Sequence, residues 1–208
     1  MPKARRIVDL GGSCEGRPEG AMVAFGYPYA FESLSIVELP RDERHALYAE
    51  ICGEYRDVIA TPQGPVCDVY SSLADLSAFE DGSIDLVYSG QSIEHVTLDD
   101  AVAACREVCH VLRPGGHFCL DTPNRAVTKI QYPDEYINPD HKYEFTHAEL
   151  SALLSSTGFA IEEAKGACLF ARSLASGVFD LEEAVRHAHL YDDIEQCYLL
   201  YYRCRKPS

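Results

Sequence analysis

Short aliphatic or β-branched runs alternate with helical patterns along most of this 208-residue chain. This order predicts an α/β architecture, because strands joined through helices pair as a parallel sheet with helices on both faces. No internal repeat or linker interrupts the pattern, so we expect a single domain over residues 1–208. Strands are predicted at seven places: 6–10, 35–39, 65–70, 83–88, 117–121, 159–164 and 197–203.

Three helices are predicted from spacing and from capping residues. One covers 41–58, where apolar side chains recur every four residues. A second runs from Thr97, a candidate N-cap, to Leu112. The third begins at Thr146, which forms a capping-box pattern with Glu149, and runs to Ser156.

Composition excludes several classes of protein. A formal net charge of −15 argues against nucleic acid as the main partner, because phosphate binding needs a basic surface. No apolar run approaches the roughly 20 residues that a membrane span requires, so we expect no membrane-spanning segment. The first residues lack the apolar segment of a signal peptide. We therefore expect a cytoplasmic protein. The nine cysteines contain no C-x-x-C pair and are expected to be free thiols.

Small and acidic residues follow several of the predicted strands. In a parallel sheet, ligands bind outside the carboxyl ends of the strands, where the strand order reverses. A glycine turn after the first strand lets a ligand approach backbone N–H groups, and an acid at the end of the second strand suits a ribose diol. The dinucleotide pattern G-x-G-x-x-G fails at 11–16, which disfavours a nicotinamide-dependent oxidoreductase.

Taken in chain order, these segments resemble the motifs of class I S-adenosylmethionine-dependent methyltransferases. The resemblance covers residues 6 to 165. It implies a Rossmann-like fold with a mostly parallel seven-stranded sheet, and methyl transfer from S-adenosylmethionine as the activity. The matching segments are the strand and glycine turn 7–13, the acid Glu38, the strand 81–89, the turn 92–96, the helix and turn 106–116, and the helix and strand 145–159.

The resemblance also implies which residues bind the methyl donor. The first strand and its turn would hold the methionine end, the acid of the second strand would hold the ribose, and the residues after the third strand would contact the adenine. The implied cofactor-binding residues are Asp9, Gly11, Gly12, Glu38, Ser72, Leu73 and Ser89. Ser72 stands where the family has Asp, which leaves Asp68 and Asp75 as possible substitutes, and Ser13 stands where the family usually has glycine.

The acceptor is predicted to be a hydroxyl group. Residues 89–92, which follow the fourth strand, lack the N-P-P-Y-like pattern of enzymes that methylate nucleic acid or protein amines. An oxygen acceptor with a high pKa needs a base or a cation beside it. The catalytic candidates are His95, His141 and Asp121.

A metal site is suggested by residues 91–95, which resemble the E-x-x-E-H cluster of ubiquinone-pathway O-methyltransferases, with Gln91 in place of the first Glu. The resemblance implies a divalent cation, and we expect Mg²⁺ bound by Glu94, His95 and Asp140. His141 of the same loop, or Asp121 at the end of the fifth strand, is an alternative to Asp140. In the alternative interpretation, Glu94 caps a helix and His95 packs on the sheet. His95 or His141 would then act as a simple general base.

Two segments are expected to complete the site. The loop 122–146 should cover it, and its interleaved aromatic and polar residues favour a saccharide or glycan precursor as acceptor, as in methyltransferases of bacterial glycan and glycolipid pathways, which the chain resembles. A phenolic or other secondary metabolite, and a catalytically silent partner subunit, are the alternatives. The insertion 166–194 predicts a homodimer through its apolar residues Leu174, Val178, Phe179, Leu181, Val185 and Leu190.

Overall fold

The computed structural model describes residues 1–40, 43, 58–186 and 189–208. The helix predicted over 41–58 lies almost entirely outside the described residues. The described strands are β1 (Arg6–Leu10), β2 (Ser33–Glu38), β3 (Ile59–Ala60), β4 (Pro65–Tyr70), β5 (Ile84–Gly90), β6 (Leu112–Pro123), β7 (Ala160–Leu169), β8 (Leu190–Tyr191) and β9 (Cys197–Arg205). The described helices are α1 (Gly20–Ala24), α2 (Leu98–Val111), α3 (Arg125–Gln131), α4 (His147–Ser156), α5 (Ala171–Ser176) and α6 (Glu182–Arg186).

The described strands form one sheet in the order β3-β4-β2-β1-β5-β6-β9-β7-β8. The five strands from β4 to β6 in this order pair in parallel, and β9 pairs antiparallel with both β6 and β7. After β1 the chain continues to β2 and β4 on one side, then returns to β5 on the other side. The strand order therefore reverses between β1 and β5, which is where such sheets bind ligands.

The Rossmann-like α/β class is confirmed, and each of the seven predicted strands is present. The sheet has two further strands, β3 and β8, of two residues each, which are too short to leave a periodic pattern. Residues 113–116, predicted as the turn that closes a helix, lie instead within β6, where a register shift against β5 accommodates them. The capping box of Thr146 and Glu149 is present at the start of α4.

Apolar clusters cover both faces of the sheet. One packs α2 and α4 against Val8, Leu10 and other residues of the central strands. The other packs Met22 of α1 against Ile7 and its neighbours. Because strand side chains alternate between faces, Asp9 projects from the same face as Ile7. No helix within the described ranges is both long and apolar enough to cross a membrane.

The two segments predicted to flank the site contain regular structure. The covering loop 122–146 begins at the end of β6 and includes α3. The insertion 166–194 begins inside β7, because that strand extends to Leu169, and it carries α5, α6 and β8. The side chain of Val185 lies outside the described part of the chain.

Candidate functional site

The turn after β1 is shaped by two glycines and is bonded to β2. Gly11 has a positive φ of 70°, and its N–H donates to the carbonyl of Val37 at 2.8 Å. A Cβ at Gly12 would lie 2.1 Å from Oδ2 of Asp9, so a larger residue would displace that carboxylate. The N–H of Ser13 donates to Oε1 of Glu38 at 3.0 Å. The glycine turn therefore connects Asp9 of β1 with Glu38 of β2 at the strand ends.

Asp9 is a buried acid whose carboxylate is only partly hydrogen-bonded. Its side chain is 1% exposed, and Oδ2 has no hydrogen-bond partner among the described residues. Burial, together with the negative charge of Glu38, raises the pKa of Asp9 to about 7, although the N–H of Met22 donates to the carboxylate and acts in the opposite direction. A buried carboxylate of this kind is stabilised by a cationic group.

The other predicted cofactor residues lie at the same edge of the sheet. Ser89 at the end of β5 is buried, and its Oγ has no hydrogen-bond partner within the described ranges. Ser72 and Leu73 follow β4 and are half-buried, and Oγ of Ser72 accepts from the N–H of Ala74 at 3.2 Å. Asp75, a possible substitute for Ser72, is exposed and bonds to its own turn through Ser77.

Asp121, predicted as a catalytic residue, is held on both carboxylate oxygens. Oδ2 accepts from the hydroxyl of Tyr88 at 2.6 Å, and Oδ1 accepts from Nε2 of Gln91 at 2.7 Å. Burial, together with the negative charge of Asp121, raises the pKa of Tyr88, so the tyrosine remains a donor. Gln91 adopts a positive φ of 52°, which is uncommon for a residue other than glycine. This geometry favours a positioning role for Asp121 over proton abstraction.

Glu94 lies in a single 3₁₀ turn, Ile93–His95, that directly follows β5 and Ser92. It is fully buried, and Oε2 accepts from Oγ1 of Thr122 at 2.9 Å. Oε1 has no hydrogen-bond partner among the residues that the structure describes. Burial raises the pKa of Glu94 to about 8. Like Asp9, this carboxylate lies in a position that a cation would stabilise.

His95 and His141 meet beside Glu94. Their ring centroids are 4.8 Å apart, and the rings are almost perpendicular. One ligating atom from each of these three residues lies within 4.8 Å of the others. Asp140, expected from sequence as a metal ligand, instead has its Oδ2 3.0 Å from Nδ1 of His95. The structure thus brings the predicted Glu94 and His95 together and adds His141 as their third neighbour.

Glu144 orients His141, a role that the sequence analysis missed. Its Oε1 lies 2.7 Å from Nδ1 of His141 and accepts from the N–H of Ile137, while Oε2 accepts from Oγ1 of Thr128. Burial opposes ionisation of Glu144, but the bonds from His141 and Thr128 outweigh it and lower its pKa. In the sequence, this role could have been recognised from the spacing, because Glu144 lies three residues after His141.

Arg125 shapes the first part of the covering loop. Its guanidinium donates to the carbonyl oxygens of Glu135 at 2.9 Å and of Tyr132 and Pro133 at 3.3 Å. The same group lies over the ring of Tyr136, 5.1 Å from its centroid. Further along, the N–H of residue 142 donates to the carbonyl of residue 94 at 2.8 Å, so the loop is attached to the turn that carries Glu94.

Sequence comparison relates parts of this chain, each less than half of its length, to known proteins. A family model described as a methyltransferase domain matches residues 49–120. A probable S-adenosylmethionine-dependent methyltransferase of Mycolicibacterium smegmatis is 41% identical over 97 residues, which is 47% of this chain and 36% of the relative. A ubiquinone biosynthesis O-methyltransferase of Xanthomonas euvesicatoria is 33% identical over 105 residues, 46% of this chain and 43% of the relative. The matches thus span less than half of these relatives.

Structure comparison extends over the whole chain. A putative methyltransferase in complex with the Haloferax volcanii Trm112 methyltransferase activator has a TM-score of 0.65, with 18% identity, and the match covers 100% of this chain and 85% of that chain. At 18% identity, this similarity shows that the two proteins share a fold. The resemblance to class I methyltransferases is therefore confirmed by the fold and by the sequence of the matched segments.

Asp9→Asn tests whether the chain buries an unneutralised charge. The folded pKa of Asp9, about 7, lies above its unfolded value near 4, so its contribution to stability falls as pH rises through that window. Without ligand, the variant should be more stable than wild type at pH 8, by on the order of 2 kcal/mol, and should lose this advantage by pH 5. Urea unfolding at the two pH values measures the difference.

The matched control is Asp134→Asn, at an exposed position of the covering loop. It should leave the unfolding free energy nearly unchanged at both pH values. An Asp9→Asn protein that is less stable than wild type at pH 8 would show that the carboxylate is satisfied within the fold.

Proposed function

We propose that this chain, whose fold is that of the class I S-adenosylmethionine-dependent methyltransferases, transfers the methyl group of S-adenosylmethionine to a hydroxyl group of a small acceptor. The observation that carries the proposal is the buried carboxylate of Asp9 beside the glycine turn, whose Oδ2 has no hydrogen-bond partner among the described residues, with Glu38 bonded to the same turn. Both lie at the carboxyl ends of adjacent strands beside the reversal of strand order.

The donor's chemistry fits the residues present at this edge. S-adenosylmethionine supplies a methyl group on a sulfonium, so the donor itself needs no activation. Asp9 would neutralise the cationic methionine end, and the turn of Gly11 and Gly12 would allow close approach to the backbone. Glu38 would accept hydrogen bonds from the ribose hydroxyls. Residues 72–73 would border the adenine.

The acceptor's proton needs a base as the O–CH₃ bond forms and the S–CH₃ bond breaks. In the metal-free site His141 suits this role because its Nδ1 is bonded to Glu144, whose pKa is lowered, which leaves Nε2 as the ring atom that accepts a proton. His95 is held in a similar way by Asp140. Asp121 would position the site through Tyr88 rather than accept the proton itself.

A saccharide is the acceptor class that the covering loop supports best. Its rings and polar groups offer flat apolar surface together with hydrogen-bonding partners for hydroxyls: Tyr132 is 43% exposed, and Gln131 accepts from Tyr198. A phenolic acceptor is the second candidate, since the matched Xanthomonas protein is a ubiquinone biosynthesis O-methyltransferase. The net charge of −15 supports a small acceptor rather than nucleic acid. A divalent cation beside the acceptor would assist by lowering the pKa of the hydroxyl.

Binding and turnover experiments test the proposal in sequence. Isothermal titration with S-adenosylhomocysteine and with NADH should show binding of the first only. Turnover of labelled S-adenosylmethionine is then measured against a panel of glycosides and catechols. Cofactor binding without turnover on any acceptor would favour the alternative, a silent subunit that acts through a partner. Binding of NADH alone would overturn the methyltransferase assignment.

Glu38→Ala is expected to weaken S-adenosylmethionine binding by about 2–4 kcal/mol, because two hydrogen bonds to a charged acceptor are lost. Titration calorimetry measures the change. Glu32→Ala, at an exposed position just before β2, serves as the control and should bind normally. Affinity in Glu38→Ala equal to that of wild type would show that another residue holds the ribose.

Arg125→Lys should impair acceptor binding without affecting the cofactor. Lysine keeps the charge, but its single ammonium nitrogen lacks the planar fork of two nitrogens that reaches the three carbonyl groups, so the segment 132–136 loses its shape. We expect KM for the acceptor to rise about tenfold or more, with an unchanged Kd for S-adenosylmethionine. Limited proteolysis should cut this segment faster in the variant. Lys129→Ala, an exposed change on the same helix, should match wild type in both assays.

A homodimer completes the proposal. Val178, Leu181 and Leu190 are each about two-thirds exposed in the insertion, as expected for a surface that another copy covers. Light scattering should give the mass of a dimer at micromolar concentration, and Leu181→Glu should shift it toward the monomer. A monomeric mass for wild type would contradict this part of the proposal and leave the methyl transfer intact.

A further inference from the structure

We infer that Glu94, His95 and His141 form a binding site for Zn²⁺ or a chemically similar transition-metal ion. The role of the metal in catalysis rests on the methyl transfer proposed above, whereas the binding of the metal does not. The inference narrows the sequence expectation to His141 as the ligand from the covering loop, and it changes the ion. It depends on three features of the structure: the convergence of the ligating atoms, the orientation of both imidazoles, and the unsatisfied oxygen of Glu94.

The ligating atoms of the three residues already converge. They lie within 4.8 Å of one another, and two of them come from the turn after β5 while the third comes from the covering loop. A metal ion with bonds of about 2.1 Å spaces its ligands roughly 3–4 Å apart. Side-chain movements of less than about 1 Å would therefore close the site around an ion.

Both imidazoles are held by carboxylates in the way that metal-binding histidines usually are. Nδ1 of His95 lies 3.0 Å from Asp140, and Nδ1 of His141 lies 2.7 Å from Glu144. Such outer carboxylates fix the ring orientation and increase the basicity of the nitrogen that coordinates the metal. Nε2 is thus the atom through which each ring would bind. Two histidine–carboxylate pairs lie side by side here, whereas a single general base would need only one such pair.

The third ligand, Glu94, is prepared for a cation. It is completely buried, and Thr122 bonds to only one of its oxygens. The other oxygen, Oε1, has no hydrogen-bond partner within the described residues. Leaving a buried carboxylate oxygen unsatisfied is costly, and a metal ion coordinated by this oxygen would remove the cost.

The donor set selects the ion. Two imidazoles and one carboxylate suit Zn²⁺ and its neighbours, whereas Mg²⁺ prefers oxygen ligands. Zn²⁺ is the redox-inactive member of the series, which suits a transfer that changes no oxidation state. Three protein ligands leave a fourth position open, and an acceptor hydroxyl bound there would have its pKa lowered. Magnesium, expected from sequence, does not match this donor set.

Gln91 explains why the third ligand comes from the loop. Its Nε2 donates to Asp121 at 2.7 Å, so its side chain is engaged away from Glu94 and His95. His141 takes the remaining place because the backbone N–H groups of residues 142 and 143 both donate to the carbonyl of Glu94, at 2.8 and 3.2 Å. The loop is thereby fixed with His141 beside the turn.

The test is metal binding by the full chain after removal of metals with a chelator. Zn²⁺ should bind with one equivalent per chain in calorimetry, and Mg²⁺ at the same concentrations should give no saturable signal. Co²⁺ should produce the visible absorption of a four- or five-coordinate site without the charge-transfer band of a thiolate, which distinguishes this site from the cysteines. Absence of stoichiometric Zn²⁺ binding, or thiolate absorption with Co²⁺, would overturn the inference.

Variants assign the ligands. His141→Ala and Glu94→Gln should each weaken Zn²⁺ binding at least 100-fold, and Asp140→Asn should weaken it about 10- to 100-fold by releasing His95. His141→Gln provides a second variant if alanine impairs folding. His110→Ala is the matched control, at an exposed position on α2, and should bind Zn²⁺ like wild type. Equal Zn²⁺ affinity in the His141 variants and wild type would contradict the proposed site.

Titration of S-adenosylhomocysteine into the metal-free chain separates this inference from the proposed function. We expect cofactor binding to persist without Zn²⁺, because none of the three proposed metal ligands is among the proposed cofactor residues. Zn²⁺ binding without cofactor binding would support the metal site while contradicting the methyltransferase proposal. Cofactor binding without Zn²⁺ binding would overturn the metal site alone.

Discussion

Asp9 and Glu94 are both buried, and each has one carboxylate oxygen with no hydrogen-bond partner in the part of the chain that the structure describes. Burying such groups in the ionised form opposes folding, because one oxygen of each carboxylate loses its hydration without gaining a partner. Burial raises the pKa of Asp9 to about 7 and that of Glu94 to about 8. Each ionised group is therefore a place where a bound cation would stabilise the fold. The two groups mark the cofactor edge and the metal cluster proposed above.

Asp121 links these two places electrostatically. Its negative charge raises the pKa of both Asp9 and Glu94, so it acts on both sites. Tyr88 and Gln91 hold Asp121 by its two oxygens, which fixes this charge at the end of β6. A positive charge bound near either carboxylate would offset part of the repulsion that Asp121 exerts there. The acidic strand ends thus favour a cationic methyl donor and a metal ion in neighbouring positions.

The strands and the glycine turn were predictable because they depend on local patterns: β-branched runs, capping residues, and Asp9 followed by glycines. The assignment of Asp140 and His141 was not predictable in this way. Both residues lie in one loop, and which of them faces Glu94 is decided by how the loop packs on the turn after β5. Sequence spacing treats the two neighbours alike, whereas the backbone bonds to the carbonyl of Glu94 distinguish them.

The covering loop combines two functions that many enzymes place on separate elements. Arg125 shapes its first part through three carbonyl groups, and His141 in its second part reaches the metal cluster. Glu144 connects the two, since it contacts His141 directly and lies 3.7 Å from Arg125. A change in the position of Arg125 would therefore alter the surroundings of the carboxylate that orients His141. Under the proposed function, acceptor recognition and activation of its hydroxyl would depend on the same buried carboxylate.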